Sequence, residues 1–294
     1  MTKFTLTTDT SCDWPRDTLR SLNIPYIPLT YIIDGEAFKD EFCSDSEYKD
    51  FYQKVRDGAL PTTSQINPEE HLDFFNALIA EGHKTIVHLT LSGALSATNA
   101  GAVSAAEDAM KANPDVNIIV VDTLSGTRAH GFLLHHALRH RDEGKSAVET
   151  ADYLNSIKHR LQVFVMADDL HHLKRGGRIS GAKAMIGTLL KVKPIFTFNT
   201  MGGLSVVHKV KGVRKALDFF AEQVAKYCAD HKNTNFCIAH ADCMDYADEL
   251  IERLREKGCT GKADIGFIGP VIGSHTGCGT IGFVFLGDNN RTTE

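Results

Sequence analysis

The sequence predicts an α/β fold in which two domains follow each other along the chain. In the first half, two largely apolar runs at 85–90 and 117–121 each precede a helical pattern. Apolar strands that alternate with helices are typical of a parallel sheet covered on both faces. We therefore expect an N-terminal α/β domain built on a parallel sheet.

The second half has a different pattern. The run 193–198 is followed by Met201-Gly202-Gly203 and by a further apolar run at 204–207, which is a hairpin signal. Hairpins mixed with helices indicate an α+β domain with a mixed sheet. A chain of 294 residues is long enough for two hydrophobic cores. We place the boundary near residue 160, which gives domains 1–160 and 161–294.

The first elements follow from alternation and from turn residues. Residues 4–8 alternate like a strand, and a polar turn then leads into a short helix, with Asp13 as its expected cap and Pro15 in its first turn. Residues 24–33 are extended, and Asp34-Gly35 predicts a hairpin.

Four hydrogen-bonding side chains, Thr62 to Gln65, precede the next helix. Asn67 is a suitable cap for that helix and Pro68 suits its first position, so we expect the helix to run to about Ala80. Thr62–Gln65 is then a loop. Such loops gather near the carboxyl ends of parallel strands, where ligands bind.

The segment Ser92–Thr98 joins the strand at 85–90 to a helix of small residues, expected over 97–110. Ser96 stands in the N-cap position of that helix. A strand that passes through Gly and Ser into a helix start presents free N–H groups and the positive end of the helix dipole, which favour an anion. Ordinary capping is the alternative interpretation.

The remaining elements follow from the same signals. Helices are expected over 46–55, 126–141, 146–159, 170–175, 212–229 and 244–257, strands over 162–166, 235–239, 263–268 and 281–285, and a glycine- and alanine-rich segment over 181–190. Glycine-rich turns at 176–178 and 273–277 contain Arg178 and His275. Glycine lets a backbone approach a ligand closely, and arginine can bind a carboxylate or phosphate with two hydrogen bonds.

Composition limits the class of protein. Hydrophobic residues make up 43% of the chain and charged residues 23%, as in ordinary globular proteins. No apolar run approaches the length of a membrane span. The N-terminus lacks a signal-peptide pattern, and the seven cysteines form no C-x-x-C pair. We therefore expect a reduced, cytoplasmic protein without a metal site.

The net charge of −5 conceals a basic segment. Ten Lys and Arg residues lie between Lys174 and Lys215, where there is no Asp or Glu. Such a segment attracts phosphates or an acidic partner. Its few aromatic residues and the acidic remainder of the chain argue against nucleic acid.

Nucleotide and hydrolase motifs do not fit this sequence. Gly277–Gly282 matches the letters of a dinucleotide fingerprint, but a strand follows it and only twelve residues remain. Neither a complete P-loop nor a G-x-S-x-G occurs. Because paired carboxylates for acid–base work are absent, the pattern favours binding over catalysis, and we expect no cofactor. The alternatives are a serine hydrolase using Ser96, His275 and Asp122, and a sugar-phosphate-binding regulator.

Six segments, in this order, resemble the DegV family of bacterial fatty-acid-binding proteins, also called FakB. They are Thr8–Pro15, Thr63–Gln65, Ser92–Thr98, Leu173–Ser180, Lys193–Ile195 and Ile268–Gly277, and they extend the resemblance over almost the whole chain. Two positions depart from the family pattern, since Ala97 stands where glycine is usual and Cys278 where proline is usual. Each lies in an expected turn, where it can alter the shape of a binding loop.

The resemblance implies a two-domain α/β protein that holds one long-chain fatty acid with its tail in a buried tunnel. By position, Thr63 and Ser96 would hydrogen-bond the carboxylate, with His275 close by. Arg178 and the basic segment would face a separate ATP-dependent fatty acid kinase, which makes an acyl phosphate for phospholipid metabolism. The chain itself would then be a carrier and not an enzyme.

Overall fold

The computed structural model describes residues 4–178 and 192–291, and a parallel sheet lies at the centre of the first half. Its strands are β1 (Thr5–Asp9), β2 (Tyr26–Ile27), β6 (Thr85–Thr90) and β7 (Asn117–Asp122). Their order is β2-β1-β6-β7, and all neighbours pair in parallel. The parallel sheet predicted from the apolar runs is confirmed.

Helices cover both faces of this sheet. They are α1 (Arg16–Ser21), α2 (Asp45–Arg56), α3 (Pro68–Ala80), α4 (Thr98–Ala112), α5 (Thr127–Asp142) and α6 (Ala147–Ile157). Successive strand residues point to opposite faces, so Ile86 packs with α3 and α4 while Val87 packs with α5 and α6. The start of α3 is as predicted, because Asn67 Oδ1 accepts a 2.9 Å hydrogen bond from Glu70 N–H and Pro68 follows.

Two predicted helix caps are wrong. Asp13 does not cap α1, because it closes a short 3-10 helix over Thr10–Cys12 in a left-handed conformation (φ 55°), and Pro15 precedes α1. Ser96 is not the N-cap of α4, because Ala97 holds that position without a side-chain hydrogen bond.

A small antiparallel sheet was not predicted. It consists of β3 (Thr30–Ile33), β4 (Glu36–Lys39) and β5 (Thr62–Ser64), in the order β4-β3-β5. The hairpin predicted at Asp34-Gly35 is confirmed, since it joins β3 to β4. The loop predicted at Thr62–Gln65 is wrong for its first three residues, because pairing with β3 places Thr63 opposite Tyr31. This pairing fixes the position of the Thr63 side chain.

A six-stranded mixed sheet forms the centre of the second half. Its strands are β8 (Leu161–Met166), β9 (Val192–Phe198), β10 (Leu204–Lys211), β11 (Phe236–His240), β12 (Ala263–Phe267) and β13 (Ile281–Leu286). Their order is β10-β9-β8-β13-β11-β12, with β11 and β12 parallel and the other neighbours antiparallel. The mixed sheet and the β9–β10 hairpin are confirmed.

Four helices accompany the mixed sheet in the described ranges. They are α7 (Leu170–Gly176), α8 (Val213–Tyr227), α9 (Met244–Glu256) and α10 (Pro270–Thr276). The turn predicted at 273–277 is wrong, because Pro270 suits a first helical position and starts α10, which places His275 in its last turn. The predicted segment 181–190 lies outside the described residues.

Three clusters of buried apolar side chains contain residues from both halves, and one of them joins the two large sheets. Leu6 and Val87 of the parallel sheet belong to it together with Leu161, Val163 and Val284 of the mixed sheet. A cavity of about 360 Å³ and a smaller apolar one lie along this junction. Each sheet takes its strands from one side of residue 160, and the domain boundary there stays a prediction. None of the helices in the described ranges has the length and hydropathy required to span a bilayer.

Candidate functional site

A cavity of about 360 Å³ lies where the two halves of the chain meet. Its lining includes the four residues singled out from the sequence, Thr63, Ser96, Arg178 and His275. Most of the remaining lining is aliphatic and comes from Leu29, Leu91, Leu95, Leu173, Leu204, Val271 and Ile272. The fold therefore combines a few polar groups with an apolar surface in one space, as in typical small-molecule sites.

The polar end of this cavity is organised by a hydrogen bond between Thr63 and His275. Thr63 Oγ1 lies 2.7 Å from His275 Nε2, although the two residues are 212 positions apart in the chain. Thr63 is held by strand pairing in β5 and His275 by the last turn of α10. Both side chains therefore project from regular elements rather than from free loops.

His275 is a neutral imidazole at physiological pH. Burial, followed by the charges of Arg178 and Arg175, lowers its pKa to about 4. Its Nδ1 is buried and has no hydrogen-bond partner among the described residues. The ring therefore interacts with Thr63 through one nitrogen and contributes no charge of its own.

The helix α7 packs against the His275 ring at Gly176. A Cβ atom built on Gly176 would lie 2.3 Å from His275 Nδ1, far inside van der Waals contact. Glycine is required here because the His275 ring occupies the space that a side chain at position 176 would need.

The Ser92–Thr98 turn forms the other polar wall. Ser96 Oγ lies 2.9 Å from Thr98 Oγ1 and accepts a 3.3 Å hydrogen bond from Thr98 N–H at the start of α4. Ser96 is partly exposed to the cavity. Its hydroxyl thus stands beside the positive end of the α4 dipole, so an anion remains favoured there although Ser96 is not the cap.

Residues from distant parts of the chain fix this turn. Asp9 Oδ2 accepts a 2.7 Å hydrogen bond from Leu91 N–H. Ser92 donates from Oγ to the Gly202 carbonyl at 2.9 Å, which ties the turn to the β9–β10 hairpin. Asp122 Oδ2 accepts from Gly93 N–H at 3.1 Å.

The Thr8–Pro15 motif also has a supporting role that the sequence did not reveal. Asp9 Oδ1 accepts hydrogen bonds from Ser11 N–H at 2.9 Å and from Ser11 Oγ at 2.6 Å. His130 of α5 lies 2.9 Å from Thr8 Oγ1 and 3.1 Å from Ser11 Oγ through its two ring nitrogens. This buried network holds Asp9 in place to brace the turn at Leu91.

Two arginines at the end of α7 are directed at backbone carbonyls. Arg178 donates from Nε to Leu95 O at 3.3 Å and from Nη1 to Gly176 O at 2.6 Å. Arg175 donates to Pro61 O at 3.0 Å and to Ser274 O at 3.2 Å. Arg175 therefore joins the segment before β5 to α10. The sequence alone could not distinguish this positioning role of Arg175 from the roles of the other basic residues in the segment.

Several other positive charges of the basic segment are paired with carboxylates, which its sequence did not indicate. Lys193 Nζ lies 2.8 Å from Asp168 Oδ1, and Arg214 and Lys215 lie beside Glu249 and Asp218. These carboxylates lie outside the segment in sequence, so part of its positive charge is paired although the segment itself contains no acid. Lys183 and Lys191 lie outside the described residues.

A second, apolar cavity of about 60 Å³ adjoins the first. The two share Leu95, Leu204, Ile272 and Thr276 in their linings. The apolar cavity extends between β8, β11 and β13 on one side and the start of α5 on the other, where Gly126 and Ala129 line it. Together the two cavities have a polar end and an interior of aliphatic side chains.

The expected alternative of a catalytic triad is not assembled. His275 Nε2 is bonded to Thr63, and Ser96 Oγ lies against Thr98. Asp122, the third candidate member, accepts hydrogen bonds from the N–H groups of Gly93 and Leu124. Within the described ranges, no three His, Cys, Asp or Glu side chains come together as a metal site.

Comparison with known proteins gives a consistent assignment. A family model described as "Uncharacterised protein, DegV family" matches residues 3–288. A DegV domain-containing protein of Clostridium perfringens is 37% identical over 291 residues, covering 99% of this chain and 100% of the relative. One from Staphylococcus aureus is 32% identical over 286 residues, covering 97% of this chain and 99% of the relative.

Solved structures with this fold include proteins that bind fatty acids. A DegV family protein from Thermus thermophilus, described as fatty acid binding, superposes with a TM-score of 0.86 at 29% identity, covering 97% of this chain and 99% of its own. DegV from Bacillus subtilis, described as a fatty acid binding protein, gives a TM-score of 0.82 at 28% identity, covering 98% and 100%. On the family model and these relatives, the chain belongs to the DegV family.

Proposed function

We propose that this protein binds a long-chain fatty acid, with its carboxylate at Thr63 and Ser96 and its tail along the adjoining apolar cavities. The observation that carries the proposal is the lining of two adjoining cavities, polar at the Thr63–His275 end and aliphatic beyond. The fatty acid binding described for the Thermus thermophilus and Bacillus subtilis proteins supports it.

The hydrogen-bond inventory at Thr63 suits a carboxylate. A hydroxyl has one proton to donate and two lone pairs that accept. If His275 is protonated at Nε2, it donates to Thr63 Oγ1, and the Thr63 hydroxyl is then free to donate into the cavity. Because burial keeps the imidazole neutral, His275 acts as a positioning residue that orients Thr63. Ser96 supplies a second hydroxyl beside the start of α4.

The aliphatic lining provides most of the binding free energy in this proposal. Each buried CH₂ group contributes about 0.8 kcal/mol, so a tail of about ten buried methylenes contributes about 8 kcal/mol. A single hydrogen bond to a charged group contributes about 1.5–3 kcal/mol. We therefore expect the tail to provide most of the affinity, and the hydroxyl groups to set orientation and provide the smaller remainder.

The finer part of the proposal is that a separate ATP-dependent fatty acid kinase phosphorylates the bound acid. Arg178 lines the cavity and is exposed to solvent at its mouth, so its guanidinium can reach both an acyl phosphate and a partner surface. We place the reaction in the cytoplasm and assign the chemistry to the kinase. The carrier then needs no cofactor.

Binding is tested by denaturing mass spectrometry of the purified protein and by titration with oleate and palmitate. We expect Thr63→Ala and Ser96→Ala each to weaken binding by about tenfold or more, the loss of one charged hydrogen bond. Thr62→Ala and Ser104→Ala are matched controls, because both side chains are exposed and line neither cavity. Protein that takes up neither acid, or unchanged affinity in both site variants, would contradict the proposal.

Presentation to the kinase is tested separately, by measuring acyl phosphate formed with purified fatty acid kinase and ATP. Arg178→Ala is expected to lower acyl phosphate production more than oleate affinity, because its hydrogen bonds go to backbone carbonyls at the mouth. Lys226→Ala on α8 is the control for loss of one exposed positive charge. Equal effects of the two variants would refute the role of Arg178.

A serine hydrolase would require a hydrogen bond between Ser96 and His275. A sugar-phosphate-binding regulator would require several charged side chains in its ligand site. Arg178 is the one permanently charged residue in the described lining of the larger cavity. Neither alternative is favoured by a specific observation.

A further inference from the structure

We propose a second ligand site, for an organic phosphate carried on a flat apolar group, in a cleft of about 600 Å³ formed by the start of α1, one face of α5 and the start of β12. The cleft shares no lining residue with the two cavities described above. It lies at the beginning of β12, whereas α10 and His275 follow the end of that strand. The proposal therefore does not depend on fatty acid binding.

The floor of the cleft contains a buried arginine with unused hydrogen-bonding capacity. Arg128 is 7% exposed. Its Nη1 lies 3.2 Å from Asp264 Oδ2, its Nη2 donates a long 3.5 Å hydrogen bond to Ile265 O, and its Nε has no partner among the described residues. A guanidinium has five N–H donors, and leaving buried donors unpaired is costly. Because Nε is closed off from solvent, an anion in the cleft would accept hydrogen bonds from the Nη N–H groups of Arg128, which lines the cleft.

The rim adds further positive charge. Arg139 and Lys262 are exposed at the edge of the cleft, together with His135. Arg139 has a loose ion pair with Glu143 at 3.5 Å, and within the described ranges no carboxylate pairs with Lys262. Asp264 is the one acidic residue of the lining. Three permanent cations against one carboxylate favour a ligand with two negative charges, such as a phosphate monoester.

One wall of the cleft is flat and apolar. Trp14 and Phe132 line it, and the Phe132 ring lies against His136 with 5.1 Å between ring centroids. His136 Nδ1 bonds to the Tyr153 hydroxyl at 3.1 Å. Burial, followed by the charge of Arg139, lowers the pKa of His136 to about 4, so this ring adds surface and not charge. A planar ring joined to the phosphate would pack on this wall.

The test is calorimetric titration of the whole protein with phenyl phosphate at low and moderate salt, with inorganic phosphate and benzyl alcohol as partial probes. We expect saturable binding of phenyl phosphate, weakened about tenfold by Lys262→Gln and by Arg139→Gln, the loss of one charge-assisted hydrogen bond. Inorganic phosphate and benzyl alcohol should each bind more weakly. Lys257→Gln, an exposed change at the end of α9, should leave affinity unchanged.

Arg128→Met tests the floor of the cleft, and a denaturation curve shows whether it folds. Because the rim variants are at exposed positions, the proposal remains testable if Arg128→Met does not fold. Absence of saturable binding, or unchanged affinity in both rim variants, would overturn the proposal. So would competition by oleate together with loss of binding in Thr63→Ala, because the probe would then occupy the fatty acid cavity.

Discussion

Substitution of Gly176 by alanine provides a sharp test of how the polar end of the cavity is built. The new Cβ would lie 2.3 Å from His275 Nδ1 and 3.2 Å from its Cγ, whereas ordinary van der Waals contact begins near 3.4 Å. The ring or the end of α7 must therefore move by about 1 Å. A shift of that size lengthens the 2.7 Å contact between Thr63 Oγ1 and His275 Nε2 beyond hydrogen-bonding distance.

The expected change in the free energy of unfolding of Gly176→Ala is the sum of two destabilising contributions and one stabilising contribution. Forcing extra volume into a packed site costs about 1–3 kcal/mol, and the lost hydrogen bond costs about 1 kcal/mol. Alanine in a helix recovers about 0.5–1 kcal/mol relative to glycine. We therefore expect Gly176→Ala to lower the free energy of unfolding by about 1–3 kcal/mol. We also expect about tenfold weaker oleate binding, because Thr63 loses its orienting partner.

Gly177→Ala is the matched control at the neighbouring position. Gly177 has a left-handed φ of 70°, and a Cβ there would meet no atom within 4 Å. Alanine at this position costs about 1–2 kcal/mol of backbone strain without touching His275. We expect both variants to be less stable in urea denaturation and only Gly176→Ala to lose oleate affinity. Wild-type affinity in Gly176→Ala, or an equal loss in Gly177→Ala, would refute the reasoning.

Two further predictions concern pH. The pKa of His275 is about 4 in the folded protein and about 6.5 in an unfolded chain, so between pH 4 and 6.5 only the unfolded chain binds this proton. The free energy of unfolding should therefore fall as pH decreases from 6.5 to 4. The slope should be shallower in His275→Gln. Asp13 acts in the opposite direction, because burial and then the Asp40 charge raise its pKa to about 8. The folded protein keeps that proton, so the free energy of unfolding should fall as pH rises from about 4 to 8. Asp13→Asn preserves the shape of the side chain and tolerates the left-handed φ. Urea denaturation at pH 5 and 8 should show that this variant loses less stability toward pH 8 than the wild type does. An unchanged loss would exclude Asp13 as the source of the pH dependence.

Elements with strong local signals could be predicted from the sequence. Asn67 and Pro68 specify the start of α3 within a few residues, and Asp34-Gly35 specifies a hairpin. The strand β5 could not be predicted, because Thr62–Ser64 becomes a strand through pairing with β3, about thirty residues earlier. Tertiary pairing of this kind overrides local preference. The helix α10 was missed because Gly273 within it and the cap Gly277 after it resemble a turn.

The candidate site could be predicted in its membership but not in its contacts. The residues alone indicated an anion near Ser96 and placed Thr63, Arg178 and His275 in candidate binding turns. The family resemblance added their roles, and all four residues line one cavity. The hydrogen bond between Thr63 and His275 spans 212 positions, so no local pattern encodes it. The fit of Gly176 against His275 and the carbonyl bonds of Arg175 likewise depend on how α7 packs on α10.

The two departures from the family pattern can be judged from the backbone they occupy. Ala97 has φ −74° and ψ 5°, a conformation that needs no glycine because it lies at negative φ. The neighbouring turn donates hydrogen bonds to the Asp9 carboxylate and the Gly202 carbonyl and accepts one from Arg178, and none of these involves the Ala97 side chain. Cys278 Sγ donates to the Tyr52 carbonyl at 3.4 Å and lies outside the lining of both fatty acid cavities. Neither departure therefore removes the geometry on which the proposed fatty acid site depends.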